Sequence, residues 1–300
     1  MNENTGWQKP HDSLIAEGFR VRRSLPFRGG RGVGPFVFLD HMGPLELRAG
    51  ATADVGAHPH IGLATLTYLF EGDIEHRDSL GTIQVIRPGD VNWMTAGRGI
   101  SHAEKTPPAS RGKDRRLEGL QCWVALPRES EDVEPSFEHH AAPRLPEIEG
   151  PGLRGRLIAG EAFGRRSPVR TYSRLFYVHA QLEAGARLDF DPSGQEAALY
   201  LLRGDVEIAG EARDEAGLYV APPGARLVAT SRAGAEFVLL GGDALAERRT
   251  IWWNFVASSK EKIEDAKRRW RAQEFGRVPG ETTWIPLPGE TTDGPKRDTP

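Results

Sequence analysis

Eight residues, Tyr68-Leu69-Phe70-Glu71-Gly72-Asp73-Ile74-Glu75, return 132 positions later as Tyr200-Leu201-Leu202-Arg203-Gly204-Asp205-Val206-Glu207, with five positions identical. Arg87-Pro88-Gly89 is echoed by Pro222-Pro223-Gly224 at an offset of 135, which a three-residue insertion explains. A single long period of this kind predicts two copies of one domain rather than a solenoid of many short units. The chain's 300 residues are enough for two domains.

Turn residues show what each copy is made of. Glu71-Gly72-Asp73, Ser79-Leu80-Gly81, Arg87-Pro88-Gly89-Asp90 and Gly97-Arg98-Gly99 interrupt the chain every eight to ten residues. Between them lie short runs rich in β-branched and aromatic residues: Thr65-Leu66-Thr67-Tyr68-Leu69-Phe70, Thr82-Ile83-Gln84-Val85-Ile86 and Val91-Asn92-Trp93-Met94. Leu120-Gln121-Cys122-Trp123-Val124-Ala125-Leu126 continues the pattern with alternating apolar residues. Short strands at this spacing predict an all-β sandwich or barrel. Gly (35) and Pro (22) are too frequent for helices to run through these segments.

The resulting plan is an N-terminal β-domain over residues 1–135, a polar, Pro-containing linker over 136–152 and a second β-domain over 153–288. Near 259–273 the pattern turns helical: Ser258 with Glu261 forms a candidate capping box, and Ile263, Ala266 and Trp270 fall on one face. That helix is expected to pack on a β-surface. Residues 289–300 are polar and are expected to be disordered.

The first copy carries a constellation that the second lacks. It reads His58-Pro59-His60, then His102-Ala103-Glu104. Side chains two apart on a strand share a face, so two adjacent strands would aim three imidazoles and one carboxylate at one point. Shifting these positions by the repeat offsets lands on Phe190, Pro192, Phe237 and Leu239, none of which binds a metal. His179, the imidazole nearest to them, has no partner at strand spacing.

Three neutral imidazoles and a carboxylate suit a divalent transition metal, Fe(II), Mn, Ni, Cu or Zn, and argue against the all-oxygen preference of Ca and Mg. Four protein ligands on a six-coordinate ion leave positions open for chemistry. The other histidines read as structural: His41 as a hydrogen-bonded core residue, His76 on a solvated strand end, and His11, His139 and His140 exposed in polar stretches. The five arginines between Arg154 and Arg170 read as a solvated loop.

Composition narrows the function class. Lys plus Arg total 39 against 42 Asp plus Glu, a net charge of -3 that gives no electrostatic case for direct nucleic-acid or anionic-membrane binding. Cys122 is the only cysteine, so neither an intrachain disulfide nor a thiolate cluster can form. No basic stretch leads into an apolar core at the start, and no apolar run is long enough to cross a bilayer, so a cytoplasmic location is expected.

With these residues in view, the chain resembles the pirin family. The run His58-Pro59-His60-Ile61-Gly62-Leu63-Ala64-Thr65 through Gly72 resembles its first core motif, followed by His76-Arg77-Asp78-Ser79-Leu80-Gly81 and by 87–100. Phe38-Leu39-Asp40-His41, 159–164 and Trp252-Trp253-Asn254-Phe255-Val256 extend the resemblance from about residue 17 to residue 272. It implies two tandem cupin barrels of the jelly-roll type with a C-terminal helix, of which only the first holds a metal. The family's ligands carry over to His58, His60, His102 and Glu104, with iron as the usual metal. The implied activity is quercetin 2,3-dioxygenase: a small aromatic substrate and O2 are taken up, the flavonol's central ring opens and carbon monoxide leaves. Glu104, beside the substrate hydroxyl, is the expected proton acceptor. The alternative is a redox- or iron-sensing protein that binds a transcription factor or a metabolic enzyme. Ala64, Asn92 and Ala103 depart from residues common in the family and are expected to act on the surroundings of the ligands.

Overall fold

Alternation along the strand Leu63–Glu71 sends Ala64, Leu66 and Tyr68 to one side and Leu63 and Leu69 to the other. The strand Glu196–Gly204 does the same, with Ala198, Tyr200 and Leu202 on one side and Ala197, Leu199 and Leu201 on the other. The first set of each strand meets the other's in one shared core, while the second set fills its own barrel. The period of two therefore builds both a pair of barrels and the contact between them. This computed structural model describes residues 5–16, 19–28 and 31–291. Most of the expected C-terminal tail, from residue 292 on, lies outside the described residues.

Each barrel pairs a large sheet with a four-stranded one. In the first, the four strands run in the order Val55–His60, Ile100–Lys105, Ile74–Asp78, Ile83–Ile86. In the second, the matching order is Arg187–Phe190, Leu227–Thr230, Val206–Ile208, Glu211–Arg213. Ladder partners correct one reading made from offsets alone. His102 lies opposite His58, and Leu227 lies opposite Phe190. Glu104 lies opposite His76, and Ala229 lies opposite Ile208. The counterparts of His102 and Glu104 are thus Leu227 and Ala229, because Phe237 and Leu239 belong to the next strand, Ala235–Gly242. The conclusion drawn from the repeat stands: Phe190, Leu227, Ala229 and Ile208 all sit in one apolar core that fills the second barrel.

The first and last described segments cross over. Gly6–Gln8 pairs with Gly217–Val220 of the second barrel. The C-terminal segment returns to the first, where Phe255 bridges Ile61 and Trp284 bridges Ala57. The helix Lys260–Arg271 buries Ile263, Ala266 and Trp270 as its periodicity predicts, against Ile61 and Phe255. It therefore packs beside the first barrel, not within the second. Its cap is Ser259, whose side chain accepts from the Lys262 amide; Ser258 instead donates to Glu131. The expected linker is partly ordered as strand: Ser136–His140 extends the first large sheet and Glu147–Gly150 joins the second. His139 and His140 are accordingly half-buried on that strand, hydrogen-bonded to Asn92 and Glu138.

Candidate metal centre

His58 and His60 end the strand Val55–His60, and His102 and Glu104 lie on its antiparallel neighbour Ile100–Lys105. Between the pairs the register shifts, so that three steps on the first strand, from His58 to Val55, match two on the second. Gly56 sits in this bulge, and its carbonyl accepts from His58 Nδ1–H at 2.8 Å. Bulges beside sites re-aim side chains in this way. The ligand atoms of His58, His60 and His102 all come within 4.8 Å of one another.

Each imidazole is held by its Nδ1. His60 Nδ1–H donates to the Asn254 carbonyl at 3.1 Å, a contact from the returning C-terminal segment. His102 Nδ1 faces His76 Nδ1 at 3.4 Å, and His76 Nε2 in turn meets Asp78 Oδ2 at 2.8 Å. One proton assignment satisfies this chain: His102 Nδ1–H donates to His76, and His76 Nε2–H donates to Asp78. All three site rings then present a bare Nε2. Such outer partners fix tautomer and orientation at metal sites. His60 Nε2 and His102 Nε2 stand 3.1 Å apart. Two nitrogens each bonded at about 2.1 Å to a shared ion at a right angle would be separated by about 3.0 Å.

Burial keeps these rings neutral and available. His58 is pushed down to about 4, and His60 and His102 lie well below the ordinary value, in each case mainly because burial penalises the charged ring. Glu104 stands outside the tight triad of rings. The residue is half-buried, and burial alone pushes its carboxyl up to about 7, with no basic group or hydrogen-bond donor to offset it. Three uncharged donors beside a carboxylate that lacks a counterion are a set that a divalent cation would complete. The residues present fit such an ion.

His76 is the residue that the sequence reading misplaced. It is 5% exposed, stacked on Phe137, and forms the link between His102 and Asp78. Its signal was present, since His76 and Asp78 are two apart on one strand, as the ligand pairs are. By contrast, Ala64 packs in the core between the barrels, Ala103 packs with Ala57 and Val278, and Asn92 accepts from His139. His41 is the buried, hydrogen-bonded residue it was expected to be.

Two family models match the chain: Pirin over residues 18–124 and the Pirin C-terminal cupin domain over residues 177–276. The chain belongs to the pirin family. A Pirin-like protein of Caulobacter vibrioides is 50% identical over 277 residues, covering 90% of this chain and 94% of that one. Human Pirin is 32% identical over 260 residues, covering 83% and 85%. Among solved structures, a quercetin 2,3-dioxygenase from Acinetobacter baumannii superposes with a TM-score of 0.87 at 32% identity, covering 95% of each chain. Membership makes the tandem barrels a pirin's two cupin domains. No helix among the described residues is long and apolar enough to cross a membrane.

Proposed function

We propose that this pirin is a metal-dependent dioxygenase that opens a flavonol such as quercetin, or a related phenolic, with O2. His58, His60, His102 and Glu104 would hold the ion, with iron as the first choice. The observation that carries the reading is the set of three buried imidazoles, each engaged at Nδ1 by a neighbour, whose ligand atoms lie within 4.8 Å of one another. The likeness to a quercetin 2,3-dioxygenase over nearly the whole chain adds the reaction class.

When bound, the ion would supply Lewis acidity and electron transfer between substrate and dioxygen. The remaining work belongs to the chain. Glu104, beside the substrate hydroxyl, accepts its proton. Trp123, whose ring centre is 5.2 Å from that of His60 and which stacks on Phe38, offers an aromatic wall next to the site. The Asn254 carbonyl fixes the His60 ring from outside the barrel.

The test is oxygen consumption and carbon monoxide release by metal-loaded protein supplied with quercetin, with metal content measured alongside. Turnover should disappear together with the metal in His58→Ala. Turnover that persists in metal-free His58→Ala protein would overturn the proposal.

A further inference from the structure

The interface between the barrels holds one four-residue arrangement twice. In the first copy His41 donates from Nε2–H to Glu118 Oε1 at 3.1 Å and accepts at Nδ1 from the Tyr200 hydroxyl of the other barrel at 3.0 Å. Arg22, directly across the ladder from His41, closes the corner: its Nη2 reaches His41 Nδ1 at 3.0 Å and the Gly43 carbonyl at 2.9 Å. In the second copy His179 donates to Glu236 Oε1 at 2.8 Å and accepts from the Tyr68 hydroxyl of the first barrel at 3.1 Å. Arg156 stands across the ladder from His179 as Arg22 does from His41. Arg203 joins the copies, with Nε 2.8 Å from Glu236 Oε2 and Nη2 2.9 Å from Glu118 Oε2.

Only the first copy is closed. The His41 side chain has no exposed surface, whereas that of His179 is 18% exposed. Arg156 does not cap its histidine. It approaches Glu147 at 3.4 Å, a carboxylate 69% exposed and screened by water, and its Nε is buried without an acceptor. A cavity of about 420 Å³ opens beside it between the barrels, walled by Tyr68, Phe70, Ile148 and Ala180. That volume suits a small molecule. Of the other acids there, Glu236 is satisfied on both oxygens by His179 and Arg203, and Glu149 is exposed.

We propose that this cavity binds a small organic acid with a flat apolar body, its carboxylate on Arg156 and its body against Phe70 and Ile148. A buried guanidinium N–H with no acceptor is costly, and a carboxylate matches the planar fork. A neutral amide offers the guanidinium one acceptor without the charge and so binds more weakly, and a cation is repelled. The site is separate from the metal centre and does not depend on the oxygen chemistry.

Benzoate is the probe, with benzamide as its uncharged counterpart of the same shape, titrated calorimetrically into the full-length, metal-loaded protein. Benzoate should saturate one site, and benzamide should bind it at least roughly tenfold more weakly. Arg156→Gln should weaken benzoate binding by roughly tenfold or more, and Arg156→Lys should restore part of it by returning the charge without the fork. Metal content and circular dichroism of both variants report that the fold is intact. Benzoate could also reach the metal, so His58→Ala protein freed of metal serves as a second arm and should bind it as the wild type does. Failure of benzoate to bind, equal binding of benzamide, indifference to Arg156→Gln, or loss in His58→Ala would each overturn the assignment.

Discussion

At the scale of single residues, His76 links His102 to the buried carboxylate of Asp78. Its imidazole passes the pull of Asp78 to His102, so it would act on an ion bound there through another residue. His76→Ala should weaken metal binding by about 10- to 100-fold, read by competition with a chelator of known affinity, while leaving the three site rings in place. Unchanged affinity would remove His76 from the centre. The site histidines also set the acid tolerance of metal-free protein. Burial lowers His58 from 6.5 to about 4. The unfolded chain therefore takes up a proton that the folded one refuses, and the stability this residue contributes is full above pH 6.5 and lost as pH falls toward 4. The loss at His58 alone is ~3 kcal/mol, from 1.36 kcal/mol per pKa unit. Urea midpoints of metal-free protein should drop across that window, and bound metal should hold them up. A flat profile without metal would contradict the burial of these rings.

At the scale of elements, the strands were legible because their chemistry is local. Alternating apolar residues and Gly-Asp or Pro-Gly turns marked Leu63–Glu71, Ile83–Ile86 and Val91–Thr95 to within two residues. The helix face Ile263, Ala266 and Trp270 was equally plain. The cap was displaced by one residue because Ser258 and Ser259 offer the same hydroxyl, and the choice fell to Glu131, a distant residue that takes up Ser258. The bulge at Gly56 left no sequence mark either, since it arises from pairing between strands. Gly62, two residues past His60, shows how tightly elements meet near the centre. It has a φ of +66°, and a Cβ there would overlap the Val256 carbonyl of the returning segment. Gly62→Ala should cost roughly 2 kcal/mol or more, measured as a shift in denaturant midpoint. It should also loosen the nearby Asn254 contact on His60, lowering metal occupancy. A variant as stable as the parent would show that the segment yields at no cost.

At the scale of the whole molecule, the two barrels are related copies that have diverged in opposite ways. The first keeps the candidate metal-binding side chains between two apolar clusters, and the second has become one continuous apolar core. At their interface one Tyr–His–Glu corner is sealed and the other is open. Tyr200→Phe should therefore destabilise the protein by about 1 kcal/mol, because it deletes a fully buried hydrogen bond that no water replaces, even though Arg22 still reaches the same His41 nitrogen. Tyr68→Phe should cost less, because His179 borders a cavity. Urea unfolding of the two variants compares them directly, and equal costs would deny the difference between the corners. The strands, the duplication, the candidate ligand types and their absence from the second copy could be read from the amino-acid order alone, since all of these rest on side-chain chemistry at short, fixed spacings. Tertiary structure alone decided that His76 stands behind His102, that Asn254 orients His60, and that Arg22 closes a corner which Arg156 leaves open. Those contacts join positions 19 to 194 residues apart, and they exist only once the barrels have closed and packed.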